Sequence, residues 1–166
     1  AQIDGDGNPL AADYRYYTDE VAPGKWQQSY VGSGLAEIEQ ALFLKNTILN
    51  ASAVVMRADA LREVFSSHHD EIEGLRFAGD WAVYLNLLTK GDIAYSALSK
   101  NYHRRHQSSV TLSNFNARQL DEIIAMQKKA AALIGADPLR SRRADALIAE
   151  LEKQFGLAPG QNLSAG

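Results

Sequence analysis

Asp80 stands between Gly79 and Trp81 in the stretch LRFAGDWAVYLNLLTKGDIAY, where an apolar pattern with helical spacing begins. A carboxylate there has two uses. As a helix cap it gains from the first backbone N–H groups and the helix dipole, about 0.5–2 kcal/mol. With a small residue before it and an aromatic after it, it is also a platform for a general base that takes a proton from a hydroxyl. The second candidate is the run His103-Arg104-Arg105-His106. On a strand, side chains alternate, so His103 and Arg105 point one way and Arg104 and His106 the other. One of those faces presents a cation with an imidazole, a partner for phosphate. The same residues also read as the exposed end of a basic strand, and Asp80 as a cap alone. Spacing does not choose.

Other motifs carry less. Asp4-Gly5-Asp6-Gly7-Asn8-Pro9 begins like a calcium loop, but that loop needs Gly at its sixth position and Glu at its twelfth. Pro9 and Arg15 stand there instead, so a tight turn is expected, with Ile3 and Leu10 flanking a hairpin or loop. Asn50-Ala51-Ser52 and Asn162-Leu163-Ser164 match a glycosylation pattern too short to carry weight. His68-His69-Asp70 reads as a solvated loop. No residues are assigned to a metal, and the cysteine-free chain has no thiolate ligand or nucleophile.

The elements that must position these residues follow from periodicity. Residues 1–34 are turn-rich and aromatic, an ordered surface excursion. A helix is predicted over 35–46, a short buried strand over 51–56, a short helix in ADALREVFSS and a helix over 80–90 capped by Asp80. Residues 93–105 hold one bent strand or two short ones. Leu120, Ile123, Ile124 and Ala131 mark a further helix, and Asp137-Pro138 opens another that ends at Gly156, giving a C-terminal helical hairpin over 113–156. The tail, 157–166, is expected to fray. The fold class is therefore α+β and helix-dominated, with a small, incomplete sheet flanked by helices.

Length and composition set the frame. The 166 residues suit one core, with 46% hydrophobic and 22% charged residues. A net charge of −3 gives no pull toward nucleic acid. No apolar run nears the ~20 residues that span a bilayer, and a cytoplasmic setting fits. The chain starts without Met inside a turn signal, so a processed product or a fragment is expected.

The order of these stretches is similar to the acceptor-side, C-terminal half of a family 2 glycosyltransferase of the GT-A fold. NTILNASAVVMRADALREV supplies a small-residue strand ending in Arg and leading to a helix, and Asp80-Trp81 opens a helix that ends in Gly. Tyr102, Arg104 and His106 fit a closing Tyr-x-Arg-x-His strand, and IDGDGNPL resembles the Asp-x-Asp-Gly hairpin of such enzymes. The resemblance covers residues 1–112 and leaves the hairpin outside. It implies that Asp80 is the catalytic base, that Trp81 lies in or beside the acceptor site, and that His103, Arg104 and His106 lie near the donor diphosphate. It implies a nucleotide-sugar donor, a glycan acceptor such as a bacterial cell-surface polysaccharide, and Mg²⁺ or Mn²⁺ in the full-length enzyme. The donor half with its Asp-x-Asp metal motif has no counterpart here, so the chain alone is expected to be inactive. The rival reading is a non-catalytic helical interaction module docking a partner through Arg140, Arg142 and Arg143. An unpaired strand edge also invites a homodimer.

Overall fold

The computed structural model describes residues 1–98, 101–105 and 115–157. Asp4 builds the first turn. Its Oδ1 accepts the Asp6 and Asn8 amides at 2.9 and 2.8 Å, and its Oδ2 accepts the Asn8 side-chain amide at 2.9 Å. These bonds close the loop between β1 (Gln2–Ile3) and β2 (Pro9–Ala11), an antiparallel hairpin. Gly7 sits in the same loop at φ 93°, where a side chain would be strained.

One helical turn follows, α1 (Arg15–Thr18), and then a 3₁₀ turn that buries Trp26. β3 (Tyr30–Ser33) runs into α2 (Gly34–Glu37), which widens into a π-helical turn over Ile38–Leu42. The predicted helix over 35–46 is thus present over residues 35–42 and stops four residues early. Phe43 N–H reaches back five residues to Ile38 C=O at 2.8 Å, and the widened turn keeps Ile38, Ala41 and Leu42 all buried. Phe43 caps its end, and beyond it the Asn46 side-chain oxygen accepts the Ile48 amide at 3.1 Å.

The buried strand expected over 51–56 does not form. The Asn50 side chain accepts the Ser52 amide at 3.1 Å and starts a 3₁₀ turn, Ala51–Ala53. Val54 and Arg57 are extended, but no neighbouring strand supplies a ladder, and Val55 is 99% exposed. Strand propensity without a partner does not make a strand.

The next helix is longer than its sequence signal. α3 (Ala58–Gly74) continues through His68-His69-Asp70, placing those residues on a helix rather than a loop, with a local break at His68 (φ −131°, ψ 23°). α4 (Gly79–Leu88) is the centre of the molecule. Its residues Trp81 to Asn86 and Leu88 are buried, so it is enclosed nearly all round. Asn86 survives in that setting by donating to Ala82 C=O at 2.9 Å.

β4 (Asp92–Tyr95) pairs antiparallel with β3, and β5 (His103–Arg104) pairs in parallel with β1. The 93–105 region therefore holds two short strands in two different sheets. α5 (Ala117–Ile134) and α6 (Pro138–Phe155) form the predicted helical hairpin. Asp137 caps α6 through the Arg140 amide at 2.8 Å, and Gly156 ends it at φ 65°. Asp137→Ala is expected to destabilise by about 1 kcal/mol, lowering the thermal midpoint by about 2–4 °C. An unchanged midpoint in a circular-dichroism melt would separate α6 from the cooperative unit.

The core joins Ile38, Leu42, Trp81, Ala82 and Leu85 to Met126 and Ala130 of α5. The C-terminal hairpin is thus packed into the same core. The boundary expected at 112 falls within 106–114, outside the described residues, as does the tail beyond Leu157. Among the described residues the architecture is α+β and helix-dominated, with a three-stranded and a two-stranded sheet and no closed barrel. No described helix is long and apolar enough to cross a membrane.

Candidate functional site

Asp80 is the second residue of α4, not its N-cap, which is Ala78. It still serves the first turn, for its Oδ1 accepts the Trp81 amide at 2.7 Å. The residue has an open side to solvent, yet its carboxyl has protein around it. Tyr17 of α1 and Tyr84, one turn further along α4, both feel its charge. Burial raises the Asp80 pKa above the ordinary carboxylate value, against the Trp81 amide and the Asn46 side chain, which lower it. Burial, reinforced by the Asp80 charge, pushes the Tyr84 phenol up to about 12.

Trp81 lies inward. It is 3% exposed, and its Nε1 donates to Leu42 C=O at 3.1 Å. Its indole fills the core and offers no open face to an acceptor; the Asp80 charge instead reaches the Tyr17 ring of α1. Lys45 holds that ring in place, with its ammonium 3.8 Å from the ring centroid and 2.5 Å from Glu20.

β5 divides its charges between two faces. His103 is half-buried and its Nδ1 is hydrogen-bonded to Tyr14 Oη. Burial, then the Arg105 charge, lowers its pKa, so His103 is a neutral imidazole near neutral pH. Arg105 is the cation of that face and also acts on the Tyr14 phenol. Arg104 faces the other way and is committed to the hairpin loop, donating from Nη1 to Asp4 C=O at 3.1 Å and Gly5 C=O at 2.6 Å. His106 lies outside the described residues.

Among the described residues no hydrogen bond or ion pair joins Asp80 to β5. Tyr14 at the N-terminal end of α1 holds His103, and the Tyr17 amide in the same turn bonds Tyr14 C=O at 2.9 Å; the Asp80 charge reaches the Tyr17 phenol. Sequence reading missed Tyr14 as the partner of His103. The dense Tyr-x-Tyr-Tyr run was the available signal, and it was read only as surface.

The divalent cation that the resemblance implies does not fit here. Both oxygens of Asp4 are taken up by its own turn, and the described residues gather no cluster of three His, Asp or Glu able to hold a metal.

Comparison with family models, curated proteins and solved structures finds no match to this chain.

Proposed function

We propose that this chain is the acceptor-side half of an inverting, family 2-like glycosyltransferase. Asp80 takes the proton from an acceptor hydroxyl as that oxygen attacks the anomeric carbon of a nucleotide-sugar. The new glycosidic bond forms as the bond to the diphosphate breaks, the nucleoside diphosphate leaves with the electron pair, and the configuration inverts. The proton on Asp80 then passes to water. Arg105, with His103 neutral beside it, faces the developing diphosphate charge. Mg²⁺ or Mn²⁺ belongs to residues of a donor half, not to this chain, and a cytoplasmic setting is proposed for the whole.

The observation that carries this reading is the Asp80 carboxyl. It is fixed in the first turn of the central helix, has an open side to solvent, and has its pKa raised by burial, which suits a base. The interaction-module reading has less to work with. Arg140 pairs with Glu39 at 2.7 Å, and Arg143 donates to Val21 C=O at 2.8 Å and stacks on Phe43. Two of its three arginines are used inside the molecule.

The test is the native coding sequence upstream of Ala1. A β-rich nucleotide-binding half with an Asp-x-Asp motif is expected there. Translation starting at Ala1 would sink the transferase reading and leave the interaction module.

A further inference from the structure

Every α-helix begins with backbone N–H groups that need acceptors. At the start of α4 the N-cap is Ala78, whose methyl side chain offers no acceptor. The acceptor comes from α5. Glu122, 6% exposed, receives the amides of Arg76, Phe77 and Ala78 at 2.9, 2.7 and 2.9 Å. These three residues are the turn that leads directly into Gly79 and Asp80.

Arg118, one turn before Glu122 on the same helix, completes the bracket. Its Nε lies 3.3 Å from the Glu122 carboxylate, and its Nη2 donates to Gly74 C=O at 3.0 Å, the end of α3. Lys129 adds a second tie from α5 to α3, with its ammonium 2.8 Å from Glu71. One helix of the C-terminal hairpin therefore grips the end of α3, the turn after it and the start of α4. Burial alone would raise the Glu122 pKa, but the three amides and Arg118 outweigh it and hold the carboxyl below its ordinary value.

We propose that Glu122 is a positioning residue for Asp80, fixing the 76–78 turn so that the Asp80 carboxyl keeps its place at the mouth of α4. The inference rests on the transferase reading for the role of Asp80, but its geometry stands without it. It also gives the C-terminal hairpin, which lies outside the glycosyltransferase resemblance, a function: the hairpin carries the clamp that holds the proposed base.

The test uses the 166-residue chain itself and reads two things by NMR, amide exchange at 76–78 and the titration of the Asp80 carboxyl. In Glu122→Gln the amides of Phe77 and Ala78 are expected to exchange about tenfold faster or more. The Asp80 midpoint is expected to fall toward the ordinary aspartate value as its carboxyl gains water. A cap with only a structural role would speed exchange and leave that midpoint unmoved, and this result in the folded variant overturns the proposal. If Glu122→Gln does not fold, Arg118→Met decides, since Arg118 is exposed: a downward move of the midpoint supports the clamp, and an unmoved midpoint overturns it. Neither readout depends on sugar transfer, so failure of the transferase reading leaves this result standing and is seen separately in turnover.

Discussion

On the proposed transferase reading, Asp80→Asn in the full-length protein is expected to lower turnover by about 10²- to 10⁴-fold, the share a positioned base contributes, with folding intact. The substitution keeps the shape and the oxygen that accepts the Trp81 amide, so the first turn of α4 keeps its bond. What it removes is the charge. Burial raises the Asp80 pKa, so the folded state binds this proton more tightly than the unfolded chain does. Stability associated with the group is present below its ordinary value and falls as pH rises through the raised one. Taking the carboxyl away at neutral pH is therefore expected to leave the melting midpoint unchanged or slightly higher. The acid limb of kcat/KM should lie above the ordinary aspartate range in the parent enzyme and be absent from the variant. Turnover within twofold of the parent would remove Asp80 from the mechanism.

Gly34→Ala is expected to be the most damaging small change to the fold. Gly34 joins β3 to α2 and is pressed against the far end of α4, where its amide donates to Gly91 C=O at 3.1 Å. A Cβ there would lie 2.1 Å from Leu88 O and 2.3 Å from Gly91 O. Both atoms are backbone, so no side chain can swing aside. Either α4 shifts at its C-terminal end or the β3–β4 ribbon parts from it. A cost of about 3 kcal/mol or more is expected, at the upper end for overpacking. Urea unfolding checks it: a midpoint equal to that of the parent would mean that the junction is looser than its contacts indicate. Gly32, two residues earlier on β3, is the control, since its nearest neighbour would be 4.0 Å away.

What the sequence makes legible is what neighbouring residues decide. Asp137-Pro138 and Gly156 bracket α6 because capping is settled within a single turn. The loop of the first hairpin is legible for the same reason, since Asp4 serves residues two and four positions on. Errors come where the deciding partner is distant. Val-Val-Met-Arg has the composition of a buried strand, but pairing depends on a neighbour that composition cannot show, and Val55 is left in solvent. Asp80 looks like the cap of α4 because it is the nearest carboxylate. The N-cap is Ala78, whose amide, with those of Arg76 and Phe77, goes to Glu122, and no local pattern joins Glu122 to residues 76–78. Trp81 follows the same rule. Its place beside Asp80 in sequence says nothing of which side of the helix faces Leu42.

The parallel pairing of β1 with β5 has a consequence in time. Gln2 finds its partner only at His103, and everything between them forms the crossover. During synthesis at about 5–20 residues per second, the first strand waits roughly 5–20 s for its partner to be made. The β1–β2 hairpin can close at once, but it is a two-stranded ribbon and marginal by itself. The three-stranded sheet, and with it the contact that brings His103 to Tyr14, is thus a late event.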